Sequence, residues 1–220
     1  MKKLYKIILN LFITVLGVFA ALFGVIMFNK YLLMTFPLSI RMVLMLVTQW
    51  AVLIIPLIMM WITKTKLLDL GFVKENIFKQ ILIGIILAFA MSFLFTAAPI
   101  LAGFESSIVG NQYKHMWQFM YDFIYKIIAV ALVEEVIFRG YIYKILLEVK
   151  NSDYLAISIS SLLFGLFHIF NGNFIQVIMM TFFGIIFCIC RKKIKGCTLL
   201  SLIFMHGVYD WLIQIWGYML

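Results

Sequence analysis

The sequence predicts an all-α protein, a polytopic transmembrane helical bundle of about seven spans in a single membrane-embedded domain over residues 1–220, and three observations predict it. Hydrophobic residues make up 65% of the chain and charged residues 12%, which is too little polar surface to cover a folded protein in water. Apolar runs close to the roughly 20 residues that cross a bilayer as a helix recur along the whole length. Lysine and arginine gather at alternate ends of those runs, as they do where a membrane fixes orientation.

The runs fall at 7–28, 38–62, 80–102, 118–142, 154–171, 174–190 and 197–218. The first follows the basic stretch Met1 to Lys6 and continues to Phe28. That is longer than the roughly 7 to 15 apolar residues of a secretory signal, so it is expected to be the first helix. With the N-terminus in the cytoplasm, Lys2, Lys3, Lys6, Lys64, Lys66, Lys74, Lys79, Arg139, Lys144, Lys150, Arg191, Lys192, Lys193 and Lys195 fall on the inner side, and Lys30 and Lys114 on the outer. The net charge of +9 therefore reads as membrane orientation, and nucleic acid is not an expected partner. Trp50, Trp61, Trp117, Trp211 and Trp216 are placed near span ends, where indole rings favour the headgroup zone. The segment from Thr63 to Lys79, with Leu67, Leu68, Leu70, Phe72, Ile77 and Phe78 among lysines, is expected along the inner leaflet. Asn171, Gly172 and Asn173 predict a tight turn. Cys188, Cys190 and Cys197 lack metal or redox spacing and read as small apolar residues.

Against this apolar background, a few polar residues stand inside spans, and each must have a partner or a use because a mid-bilayer charge costs about 2.5 to 3.5 kcal/mol. The fourth span holds Glu134, Glu135 and Arg139, the fifth ends in His168, and the seventh holds His206 and Asp210. Glu135 and Arg139 are four apart, share a helix face and are expected to pair. Glu134 points about 100° away from Glu135 and has no opposite charge one turn distant. A carboxylate kept from water beside a second carboxylate is how a glutamate serves as general base near neutral pH. His206 and Asp210 are also four apart, so Asp210 is expected to accept from one ring nitrogen and leave the other free. Phe164 lies one turn before His168 and is expected to wall the imidazole. Glu134, His168, His206 and Asp210 are thus expected to converge on one internal cavity.

Depth adds a constraint. His168 is 14 residues from Tyr154, about 21 Å of helix, whereas Glu134 is only about 12 Å from residue 142. The two can meet if the fourth helix continues from about Trp117 to Glu148 and the fifth begins near Asn151.

Three motifs together resemble the CAAX protease and bacteriocin-processing intramembrane proteases, also called Abi-type. They are Glu134-Glu135-Val136-Ile137-Phe138-Arg139, Phe164-Gly165-Leu166-Phe167-His168 and His206-Gly207-Val208-Tyr209-Asp210, in that order, within residues 127–216. Members that process prenylated proteins resemble Asn at the position of Asp210, and many bacterial relatives resemble Asp. The resemblance implies an intramembrane endopeptidase of a bacterial cell membrane acting on a small peptide precursor or membrane-associated protein. Glu134 would activate water beside His168, His206 and Asp210 would bind the scissile carbonyl, and Glu135, Arg139 and Phe164 would support them. Two chemistries stay open. Glu134, His168, His206 and Asp210 could hold zinc with an open position, or act without a metal as a glutamate protease. The alternative function is a bacteriocin-immunity or regulatory membrane protein that binds a toxin, receptor or sensor without cleavage. A transporter is less consistent with a chain lacking repeated halves.

Overall fold

A computed structural model of the chain describes residues 2–103, 113–170 and 172–219. Among them the chain forms seven helical rods and no strand. The rods are α1 (Lys2–Tyr31), α2 (Leu38–Thr63), α3 (Ile77–Leu101), α4 (116–149), α5 (Asp153–Phe167), α6 (Phe174–Lys193) and α7 (Leu199–Met219). Asn171, the first residue of the expected turn, and residues 104–112 lie outside the described residues. By length and composition, α1, α2, α3, α6 and α7 are apolar enough to cross a membrane. The other two are the rods that carry Glu134, Glu135, Arg139 and His168, whose charges and shortness depart from a simple span. The polytopic helical bundle read from the sequence is the fold observed.

Three of the rods are irregular for identifiable reasons. In α2 the helix breaks between Ala51 and Ile54, because Pro56 has no N–H to give and its ring crowds the carbonyl of Val52 four residues earlier. In α3, Pro99 follows a π-helical stretch at Phe93–Ala97. Rod α4 runs without interruption from Met116 to Val149, but its hydrogen bonding widens to the π pattern at Lys126–Ala131 and again at Val136–Ile142. Such stretches insert an extra residue per turn and re-aim the side chains that follow. The helix therefore continues past Gly140, as the depth of His168 required, and α5 begins at Asp153 behind a Ser152 cap whose hydroxyl accepts from the Leu155 amide.

The middle of α4 is the core. Ala129, Ala131, Val133, Glu135, Ile137, Phe138, Arg139 and Tyr141 are wholly removed from the surface. Around it, α3 lies along α7, α5 along α6, and α1 and α7 against α4. The outer faces are apolar, with Phe12, Leu16, Phe23, Val43, Ile86 and Phe182 among the exposed residues, as a surface facing lipid requires. Where water cannot drive helices together, close approach of backbones does so. Gly207, next to His206, is such a point: a Cβ there would lie 2.7 Å from Ile127 Cα, so only glycine lets α7 rest on α4.

The basic ends of the rods are tied by polar bonds. Asn10 of α1 and Tyr141 of α4 exchange hydrogen bonds at 3.1 and 3.2 Å. Thr198 before α7 donates to Gln80 of α3 at 2.5 Å. Arg191 of α6 donates to the carbonyls of Arg139 at 2.5 Å and Leu70 at 2.9 Å. This refines the expected interfacial stretch. Leu67, Leu68, Ile77 and Phe78 are exposed, but Leu70 is fully buried beneath Gly140, held by a 3₁₀ turn that ends at Gly71 with φ 100°. Two tryptophans also sit elsewhere than expected. Trp50 lies beside the break in α2, and Trp211 is packed between Phe119 and Phe123 at ring distances of 4.7 and 4.9 Å, inside the α4–α7 seam.

Gly207→Val should lower the thermal unfolding temperature of the detergent-solubilised protein, with an overpacking cost of about 1–3 kcal/mol. Gly24→Ala, where a Cβ would meet nothing within 4 Å, should leave it unchanged. Similar unfolding curves for both variants would show that the α4–α7 contact is not closely packed.

Candidate active site

Glu134 and Glu135 occupy the short regular stretch of α4 between its two π-helical segments. Both are buried. Glu135 Oε1 accepts from Arg139 Nη1 at 2.9 Å, the expected pair one turn apart. Arg139 is itself buried, with its guanidinium carbon 3.9 Å from the centre of the Phe164 ring and 5.0 Å from that of Phe187. These faces supply the cation with a favourable quadrupole in place of water. Its Nε and Nη2 carry no hydrogen bond to any of the described residues.

Glu135 has a second partner. His206 Nδ1 stands 2.8 Å from the same Oε1. Asp210, expected to be the carboxylate that orients His206, lies 3.7 Å from Nε2, beyond hydrogen-bonding distance. Helix spacing had put Asp210 on the same face as His206, which it is, but the close oxygen comes from the facing helix. A carboxylate can only accept, so Nδ1 carries a hydrogen and Nε2 is directed to the space between Glu134 and Asp210. Glu134 Oε2 is 3.8 Å from Nε2 and has no hydrogen-bond partner among the described residues.

His168 caps the C-terminal end of α5. Its Nδ1 lies 2.9 Å from the Phe164 carbonyl. A carbonyl accepts only, so Nδ1–H is the donor and the lone pair belongs to Nε2. Phe164 is the hinge of the arrangement: its ring is 5.0 Å from His168, 5.9 Å from His206 and 5.4 Å from Phe138, in each case edge to face. Glu134 interacts electrostatically with His168, His206, Asp210 and Glu135. Residues from α4, α5 and α7 thus gather around one buried carboxylate. Asp210 is the more open member, with 24% of its side chain exposed, whereas His206 and Glu134 keep 7% and 5%.

The donor set also bears on zinc. Among the described residues no three His, Cys, Asp or Glu side chains are grouped to share one metal ion, and His206 Nδ1 is already committed to Glu135. Holding an ion between Glu134, His168, His206 and Asp210 requires these side chains to regroup.

Two contributors had no sequence signal. Phe187 of α6 stacks on Arg139 and lies 5.5 Å from His206, but one phenylalanine in an apolar run is indistinguishable from its neighbours. Arg191 reads as one more positive charge at a span end, yet it bonds the backbone of the π stretch that carries Arg139.

Comparison with known proteins finds a likeness over the region that holds this site. Residues 116–212, rather under half of the chain, match the family model described as type II CAAX prenyl endopeptidase Rce1-like. Every residue of the cluster, from Glu134 to Asp210, lies within the match, in agreement with the three-motif resemblance. No curated protein and no solved structure matches the chain.

The two charged residues of the first motif should respond differently to mutation. Arg139→Ala breaks the buried ion pair, leaving the Glu135 carboxylate with His206 alone, and should remove about 3–5 kcal/mol of stability, seen as loss of the monodisperse peak in size-exclusion chromatography. Glu134→Gln replaces a side chain that has no ion-pair partner at bonding distance, and should keep that peak. Equal recovery of the two variants would refute this division.

Proposed function

We propose that the protein is an intramembrane endopeptidase in which Glu134 activates a water molecule to hydrolyse a peptide bond of a small peptide precursor or membrane-associated protein. The observation that carries the reading is the buried Glu134 carboxylate, whose Oε2 has no hydrogen-bond partner among the described residues and lies 3.8 Å from His206 Nε2, in a segment that matches a protease family. In the proposed reaction a water bound between Glu134 and His168 Nε2 gives its proton to Glu134 while its oxygen adds to the carbonyl carbon. His206, acting as an imidazolium with Nδ1–H held by Glu135, donates Nε2–H to the developing oxyanion, and Asp210 stabilises the charged ring. The proton on Glu134 then passes to the leaving nitrogen as the C–N bond breaks. Arg139 and Phe164 hold Glu135 and the two imidazoles in register. Hydrolysis by this route needs no metal, a reading supported by the ungrouped donors among the described residues.

We further propose that the bundle end bearing Arg191, Lys192 and Lys193 faces the cytoplasm, supported by the distribution of Lys and Arg among the loops. In intact cells Lys114→Cys should react with an impermeant maleimide and Lys193→Cys should not. The reverse pattern would invert the assignment.

Membrane peptides from cells expressing wild type or Glu134→Gln should differ by a precursor that accumulates with the mutant, and processing by the wild type should persist in EDTA and 1,10-phenanthroline. Identical peptide profiles would favour a non-proteolytic role in toxin, receptor or sensor binding. Loss of processing with chelator, restored by zinc, would return zinc to the mechanism.

A further inference from the structure

Away from the site, at the basic end of the bundle, two depressions meet at one residue. The first is a groove of about 410 Å³ between α5 and α6, walled by Tyr154, Ile157, Ile185 and Ile189 and ending at Lys192 and Lys193. The second is a smaller cavity of about 150 Å³ between α4 and α6, lined by Arg139, Tyr143, Cys188, Arg191 and Lys192. Lys192 borders both. An apolar trough and a chamber with three cationic walls thus have Lys192 as their common border.

The charges of that chamber are incompletely matched. Lys192 pairs with Asp153 and Arg139 with Glu135. Arg191 spends its bonds on two neutral carbonyls, of Arg139 and Leu70. Among the described residues neither it nor Lys193 is in an ion pair. On the inner wall, fully buried Arg139 has Nε and Nη2 without a hydrogen-bond partner among the described residues. Cations so placed, half out of water, attract an anion more strongly than surface lysines do. The Lys192–Asp153 pair is exposed, with 44% and 45% of the side chains accessible, so exchanging the carboxylate for another anion costs little.

We propose that groove and cavity together form a binding site for one anionic phospholipid. An acyl chain lies along Ile157, Ile185 and Ile189, and the phosphate sits between Arg191 and Lys192 in front of Arg139. The shape is that of a lipid, with a long apolar part joined to a compact cationic part at the level of span ends. The charge selects an anionic headgroup, because the ammonium of a choline or ethanolamine lipid would be brought against Lys192 and Lys193. Binding of this kind does not depend on the protease reading.

Native mass spectrometry of the full chain, released from micelles containing equal phosphatidylglycerol and phosphatidylcholine, tests it. One phosphatidylglycerol should be retained about tenfold more often than phosphatidylcholine, because clustered basic residues at span ends favour an anionic headgroup. Lys192→Gln with Lys193→Gln should abolish the preference, while Lys30→Gln with Lys114→Gln, at the other end, should preserve it. Ser158→Trp fills the groove without changing charge and should reduce retention of the anionic lipid, which keeps the test decisive if the double variant folds poorly. Equal retention of the two lipids by the wild type, or an undiminished preference in both groove variants, would overturn the proposal. So would displacement of the lipid by millimolar inorganic phosphate, which would identify a free anion as the ligand, or by a short peptide acid, which would identify a substrate subsite.

Discussion

The shared oxygen of Glu135 is the point on which the bundle depends. One carboxylate oxygen accepts from Arg139 in its own helix and from His206 in another, so a buried ion pair and an interhelical contact are one interaction. Either bond alone would leave a partner uncompensated: an arginine without its anion, or a histidine free to turn. Together they fix the rotation of α7 relative to α4, and with it the direction of His206 Nε2 toward Glu134. The guanidinium is then held from its faces by Phe164 and Phe187, so that α5 and α6 are joined to the same centre without any further charge. The desolvation of several ionisable groups is distributed over four helices.

Sequence spacing made the intrahelical half of this legible. Two residues four apart share a face whatever surrounds them, so the Glu135–Arg139 pair and the common face of His206 and Asp210 could be read directly. The long α4 was also readable, because a helix has a fixed rise and His168 cannot reach Glu134 otherwise. What spacing cannot supply is the register between helices. It assigned His206 to Asp210, its neighbour in the chain, when the nearest oxygen belongs to Glu135. The register is set by backbone approach at Gly207 and by the π-helical stretches that shift the face of α4, and neither leaves a mark in a pattern of apolar and polar residues. Arg191 was hidden for a related reason: a cation at the end of a span has an ordinary explanation that conceals its bonds to Arg139 and Leu70.

The site is also asymmetric in its exposure. Glu134 and His206 are enclosed, whereas Asp210 remains partly open and His168 stands at a helix end. A buried carboxylate with a free lone pair beside an open edge is an arrangement in which a reactant can enter without unfolding the pair that holds His206. The supporting bonds of Arg139 lie on the other side of Glu135, toward the basic end of the bundle, so that support and access do not compete for the same space.

The charges carried by α4 have a consequence for how the protein is made. Glu134, Glu135 and Arg139 would each oppose the partition of a lone helix from the translocon into lipid, and α5 is short for a span. Helices α1 to α3 and α6 to α7 are apolar enough to enter the bilayer one at a time. Rod α4 becomes compatible with lipid only when Phe164, Phe187 and His206 cover its charges, and all three emerge from the ribosome after it does. The nascent chain must therefore hold α4 at the interface, against the helices already inserted, until α5, α6 and α7 arrive, so helices synthesised later complete the membrane insertion of an earlier one.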